Sequence, residues 1–153
     1  MAEDPSDIRA WQRLSERLTT SGRLEPHDPA RLAALGVRHV INLAMPDHPE
    51  ALPDAGAVFA AQGIAYTHIP VPFDAPTDAH YEAFAAALQA PGPVHVHCIM
   101  NWRVSAFCYR YHRDACGMPE GEARTLMERQ WSPETSEHED APTWAAFVAP
   151  RGS

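Results

Sequence analysis

The sequence has no long hydrophobic run, no excess of basic residues and no cysteine pattern typical of a disulfide-bonded protein. No segment approaches about 18 consecutive apolar residues, so we expect no membrane-spanning helix. The formal net charge is −8 at pH 7, whereas binding to nucleic acid or to anionic lipid calls for a basic face. We therefore expect neither nucleic acid nor an anionic membrane as a partner.

The three cysteines, Cys98, Cys108 and Cys116, are an odd number. This makes a disulfide framework a poor interpretation and favours a reducing compartment. Residues 1–5 also lack the charged-then-apolar layout of a secretory signal. We therefore expect a cytoplasmic protein, and its 153 residues fit one domain over 1–153.

Strand and helix patterns alternate along the chain. Strands are predicted over 37–43, 64–71 and 94–97, with a short extended piece at 18–20. Helices are predicted over 28–35, 54–62, 78–89, 104–113, 119–130 and 143–148, and a first helix, capped by Ser6 or Asp7, is predicted to carry Ile8, Trp11, Leu14 and Leu18. This alternation predicts an α/β fold with a central parallel sheet and helices on both faces. Ligands of such sheets bind beyond the carboxyl ends of the strands, and Cys98 falls at such a position.

Residues 97–105 carry the most chemical information. Cys98 stands at the end of a predicted strand, and a helix is predicted to begin a few residues later. The first N–H groups of a helix have no intrahelical partner and carry partial positive charge, which stabilises a thiolate. Arg103 can bind a tetrahedral oxyanion through two parallel hydrogen bonds. The segment therefore predicts a cysteine nucleophile in an anion-binding loop.

His97, Cys98, Arg103 and Ser105 resemble the phosphate loop of the cysteine-dependent protein tyrosine and dual-specificity phosphatases. That pattern is His-Cys, five residues, Arg, then Ser or Thr, whereas four residues separate Cys98 from Arg103 here. Either the loop is one residue short and Arg103 still faces the phosphate, or the arginine is displaced by one position and turned by about 100°. We expect the short loop, because Val104 cannot replace a guanidinium.

The resemblance implies a dual-specificity-phosphatase-like fold, since residues 35–43 and 66–71 also resemble strands of small bacterial members. It implies that Cys98 forms a cysteinyl-phosphate, that His97 fixes the loop through its ring hydrogen bonds, and that Ser105 donates a hydrogen bond to the thiolate. The implied phosphate-binding loop consists of Cys98, Ile99, Met100, Asn101, Trp102 and Arg103. We expect no cofactor and no metal, because His95 and His97 lack further ligands at sensible spacing.

The general acid has two candidates. Asp74, in residues 71–76, resembles the upstream acid loop of the family. Glu134 follows an aromatic residue and a proline at the start of a long polar loop that resembles a hinged lid. Low-molecular-weight tyrosine phosphatases also keep their acid downstream of the phosphate loop, so both alternatives stay open. His138 of the same polar loop could sense the site.

The resulting hypothesis is a metal-independent phosphomonoesterase that works by double displacement. Its expected substrate is a phosphorylated protein, with phosphotyrosine favoured, or a small phosphomonoester. Rhodanese-like sulfurtransferases also place four residues between cysteine and arginine, so sulfur transfer is one alternative. An inactive phosphate-binding module, the outcome of a displaced Arg103, is the other.

Overall fold

The computed structural model describes residues 4–149, so the expectations for residues 1–3 and 150–153 lie outside it. Its centre is a five-stranded sheet in the order β1-β2-β5-β3-β4. The strands are β1 Gln12–Arg13, β2 Leu18–Ser21, β3 His39–Asn42, β4 Ala65–His68 and β5 Val94–His97. Strands β2, β5, β3 and β4 are parallel, and β1 adds an antiparallel edge. The predicted parallel sheet is confirmed, and β5 lies at its centre.

Six helices accompany the sheet within the described range. They are α1 Asp28–Ala34, α2 Ala55–Ala61, α3 Asp78–Ala87, α4 Trp102–Asp114, α5 Glu120–Glu128 and α6 Ala141–Val148. The helices predicted from residue 28 onward are therefore confirmed, with ends that differ by up to two residues. The Thr77 cap is confirmed as well, since its side chain accepts from the His80 amide in a capping box. Within residues 4–149, no helix has the length and apolar character needed to cross a membrane.

The helix predicted before residue 18 is wrong. Ala10 has a left-handed backbone with φ of 54°, and Gln12 and Arg13 pair with β2 as an edge strand. Of the apolar residues that suggested a helical face, Ile8 and Leu18 are buried and Trp11 and Leu14 are half-buried, all without a helix. Ile8 packs in the core, and the Trp11 ring stacks on His95 at 5.1 Å between centroids. Pairing with β2 thus determines the backbone of this segment, and its helix-like apolar spacing does not.

The core has one cluster on each face of the sheet. Neighbouring strand residues point to opposite faces, and Val40 and Ile41 of β3 belong to different clusters. The Ile41 cluster packs against α3 to α6, whereas the Val40 cluster packs against α1 and α2. Helices therefore cover both faces of the sheet, as a mostly parallel sheet requires. The carboxyl end of β5 lies at the edge of the sheet between these two helical layers.

Candidate active site

A short loop joins β5 to α4. Cys98 follows β5 directly, and Asn101 has a left-handed backbone with φ of 66° just before the helix. Asparagine tolerates that conformation better than most residues. The Asn101 side-chain amide donates to the carbonyl of Ala10 at 2.9 Å and to the hydroxyl of Thr20 at 3.1 Å. The helix begins at Trp102 rather than 104, so Arg103 lies in its first turn.

The loop is held from behind by the end of β2. The Arg23 amide donates to the Ile99 carbonyl at 2.9 Å, and a Cβ on Gly22 would lie only 2.5 Å from the same oxygen. Across a trans peptide the N–H of Met100 points opposite to that carbonyl. Within residues 4–149, no group accepts a hydrogen bond from the amides of residues 99–101. These amides are thus left free for an anion.

Cys98 and Arg103 line one cleft of about 340 Å³ beyond the carboxyl end of β5. The cleft is lined by Met45, His48, Phe73, Cys98, Ile99, Met100, Trp102, Arg103 and His138. The exposed fraction is 1% for Cys98 and 7% for Arg103, so both lie deep in it. Arg103 Nη1 donates to the Val71 carbonyl at 2.8 Å, and its guanidinium carbon lies 5.9 Å from the centre of the Phe73 ring. The structure thus brings the sulfur and the guanidinium to one cavity, the arrangement that the short-loop alternative expects.

His97 is buried beside this loop as a neutral ring. Burial lowers its pKa to about 4, and the nearby backbone of Cys98 acts in the opposite direction. Neither ring nitrogen has a hydrogen-bond partner of normal geometry within residues 4–149, so the hydrogen bonds expected of His97 are not formed. Its neighbour His95 differs, since both nitrogens lie 2.8 Å from the hydroxyls of Thr19 and Ser21. Across the described residues, no three His, Cys, Asp or Glu side chains form a metal-binding group.

Ser105 lies away from the cleft. Its hydroxyl donates to the Trp102 carbonyl at 3.1 Å, and it lines a separate cavity of about 10 Å³ with Thr20 and Cys108. Two helical residues correspond to a turn of about 200°, so Ser105 faces away from the side on which Arg103 meets the cleft. The expected hydrogen bond to Cys98 is thus not formed here. Burial raises the pKa of Cys108, which makes that thiol a poor second nucleophile.

Neither acid candidate lines the cleft. Asp74 is exposed and directly follows Phe73, which does line it. Glu134 is exposed and forms an ion pair with Arg124 of α5 at 2.8 Å. The polar loop reaches the cleft through His138, whose ring meets Phe73 edge-on at 4.8 Å between centroids.

Tryptophans hold this polar loop against the cleft wall. The Trp131 ring stacks on Trp102 at 4.7 Å with 3° between planes, and its Nε1 donates to the Trp102 carbonyl at 3.0 Å. Trp144 Nε1 donates to the Phe73 carbonyl at 2.6 Å. These contacts join the loop, the start of α4 and the segment after β4 into one wall.

Sequence reasoning missed Met45, His48 and Phe73 as cleft residues. Met45 and His48 follow the carboxyl end of β3, the neighbour of β5 in the sheet, and Phe73 follows β4, the next strand along. A signal was present, because loops at that edge of a parallel sheet build the ligand site.

Comparison with known proteins gives a consistent picture. Residues 8–109 match the family described as the phosphatase-like domain of β-lactamase hydrolase-like protein. No curated protein matches. A DUF442 protein from Shewanella putrefaciens CN-32, described as a candidate phosphatase, is 31% identical, with a TM-score of 0.77, 92% of this chain covered and 87% of that one.

Two further solved structures share the fold. TpbA from P. aeruginosa, in complex with phosphotyrosine, is 24% identical with a TM-score of 0.71, and the match covers 97% of this chain and 86% of that one. Tk-PTP is 16% identical with a TM-score of 0.69, and the match covers 91% and 95%. At these identities the likeness concerns the fold.

Proposed function

Because this chain belongs to the phosphatase-like domain family of the β-lactamase hydrolase-like proteins, we propose that it hydrolyses phosphate monoesters through a cysteinyl-phosphate on Cys98. Its family and fold are those of a cysteine-dependent phosphatase of the protein tyrosine phosphatase type. One observation supports the proposal above all others. Cys98 and Arg103 line a single cleft, beside loop amides that no described residue uses.

The reaction follows from this arrangement in two displacements. Arg103 and the loop amides hold the phosphoryl oxygens. The Cys98 thiolate attacks phosphorus, a P–S bond forms, and the P–O bond breaks with its electron pair on the leaving oxygen, which takes a proton from the acid. Water then attacks phosphorus and gives a proton to the same carboxylate, the P–S bond breaks, and phosphate leaves with the thiolate restored.

The acid in this scheme is a carboxylate near the mouth of the cleft. Asp74 is favoured, because it directly follows Phe73 on the cleft wall, whereas Glu134 must first leave Arg124. Asp74→Asn should then slow the hydrolysis of phenyl phosphate more than that of p-nitrophenyl phosphate, because phenoxide is the poorer leaving group and depends more on the acid. Glu134→Gln should leave this ratio at the wild-type value. The reverse pattern would assign the acid to Glu134.

The walls of the cleft suit an aromatic phosphate ester. Phe73, Trp102, Met45 and Met100 offer apolar and aromatic surface above Cys98, and a ring can pack against such side chains. The related fold of TpbA has been solved with phosphotyrosine. We therefore favour phosphotyrosine in a protein over small alkyl phosphomonoesters, and a higher kcat/KM for phosphotyrosine than for phosphoserine would support this.

The proposed nucleophile also requires a reducing compartment, and the cytoplasm fits. A cysteine in an anion-binding loop is readily oxidised to the sulfenic acid, which removes the nucleophile. Peroxide should therefore inactivate the protein, and a thiol reductant should restore the activity. Inactivation that Cys116→Ser abolishes would instead assign the sensitive thiol to exposed Cys116.

Turnover of p-nitrophenyl phosphate in EDTA tests the proposed function. We expect turnover by the wild type and its loss in Cys98→Ser, with Cys116→Ser as the matched cysteine control. Activity that survives Cys98→Ser would contradict the proposal. Vanadate binding without any turnover would instead indicate the inactive phosphate-binding module.

A further inference from the structure

The mouth of the cleft carries two histidines. Apart from Cys98 and Arg103, the polar side chains that line the cleft are His48 and His138, and the others are apolar. His138 is exposed and His48 is half-buried, whereas Cys98 and Arg103 are more than nine-tenths buried. The histidines therefore lie nearer the mouth, where the organic part of a substrate would sit rather than its phosphate.

Both imidazole rings are fixed in the same hydrogen-bonding state. The Nδ1 atom of His48 accepts from the Glu50 amide at 3.0 Å, and that of His138 accepts from the Asp140 amide at 3.0 Å. An Nδ1 that accepts carries no proton, so the proton of the neutral ring is on Nε2. Within the described range, neither Nε2 atom has a hydrogen-bond partner. Each ring thus offers one free N–H donor.

The His138 ring is held in place by aromatic neighbours. It meets Phe73 at 4.8 Å and 75° and Trp102 at 6.0 Å and 87°. Trp102 in turn stacks on Trp131. A donor on such a fixed ring binds its partner with little loss of side-chain freedom.

The charges around these histidines select the kind of acceptor. Asp47, Glu137 and Glu139 are next to them in the chain and exposed, and none of the three forms an ion pair with another residue in 4–149. Arg9, which contacts the cleft residue Met100, has its charge paired with Glu50 at 3.0 Å. A second phosphate or a carboxylate on the substrate would be repelled by them. A neutral carbonyl oxygen is not repelled.

We propose that His48 and His138 are specificity-determining residues, whose Nε2–H groups bind main-chain carbonyl oxygens of a phosphorylated peptide with neutral or basic neighbours. This rests on the proposed phosphatase function and adds that the protein recognises the main chain of its substrate as well as the phosphate. Small polyanionic esters, such as bisphosphates, are excluded as preferred substrates by the same charges.

The test compares kcat/KM for a phosphotyrosyl peptide with kcat/KM for p-nitrophenyl phosphate, which has no peptide carbonyl. The loss of one neutral hydrogen bond corresponds to about a 5-fold effect. His48→Leu and His138→Leu should each lower the peptide-to-nitrophenyl ratio about 5-fold. His48→Gln and His138→Gln keep a donor near the Nε2 position and should restore the ratio. His27→Leu, at an exposed histidine outside the cleft, should keep the wild-type ratio.

A ratio that stays at the wild-type value in both Leu variants would overturn the proposal. So would Gln variants whose ratio is as low as that of the Leu variants. Glutamates placed beside the phosphotyrosine should raise the KM of the wild type for the peptide, and a lower KM would contradict the charge argument. Failure of the phosphatase function has a different signature, namely no turnover of either substrate. Peptide affinity in Cys98→Ser would still report on the histidines, with an expected 5-fold weaker Kd for each added Leu substitution.

Discussion

Gly22→Ala should disable the phosphate loop without touching a catalytic side chain. The new Cβ would lie 2.5 Å from the Ile99 carbonyl oxygen, and ordinary contact begins at 3.4 Å, so Gly22 and the peptide after Ile99 must move apart by about 0.9 Å. That movement weakens the 2.9 Å bond from the Arg23 amide and turns the Met100 amide away from its present direction. A displacement of about 1 Å at the reacting centre costs on the order of 10²-fold in rate.

The assay pairs kcat/KM for p-nitrophenyl phosphate with urea denaturation. We expect kcat/KM to fall about 100-fold and the free energy of unfolding to fall by about 1–3 kcal/mol, the usual cost of overpacking. Gly121→Ala is the matched control, because a Cβ at Gly121 in α5 meets nothing within 4 Å. It should keep wild-type activity and slightly raise stability. Wild-type kcat/KM in Gly22→Ala would refute the idea that this contact orients the loop.

Three further predictions concern other parts of the site. Arg103→Met should lower kcat/KM by at least about 100-fold and weaken vanadate binding, and unchanged vanadate affinity would show that Arg103 does not hold the phosphate. Because burial lowers the pKa of His97 from 6.5 to about 4, the unfolded state binds more protons than the folded state between these values. Stability should therefore decline as the pH falls from 6.5 to 4, by up to about 3 kcal/mol, and His97→Gln should flatten that decline in pH-dependent denaturation curves. Trp131→Phe, which loses the bond to the Trp102 carbonyl, should lower the unfolding free energy by about 1 kcal/mol, and no measurable loss would show that this bond does not hold the polar loop.

The parts of the fold that depend on local patterns were predictable. Val94 and Val96, with a proline-glycine turn before them, indicate β5, and Thr77 indicates the start of α3. The helix before residue 18 failed because its apolar spacing serves an edge strand and a ring stacked on His95. The spacing of apolar residues predicts which side chains pack inward more reliably than it predicts whether their backbone is a helix or a strand.

The site divides in the same way. The convergence of Cys98 and Arg103 was predictable, because both belong to one strand-loop-helix segment. The polar loop was predicted to reach the site with His138 in it, but that His138 rather than Glu134 lines the cleft goes with the stacking of Trp131 on Trp102 and the ion pair of Glu134 with Arg124. No spacing rule contains such long-range contacts.

Direct detection of the phosphorylated enzyme tests the central claim. Enzyme mixed with excess p-nitrophenyl phosphate, quenched within one turnover and digested, should carry one phosphoryl group on the peptide that contains Cys98. The group should disappear on dilution into substrate-free buffer and be absent in Cys98→Ser. Turnover with the phosphoryl group on another residue, or in a Cys98→Ser protein, would contradict the account.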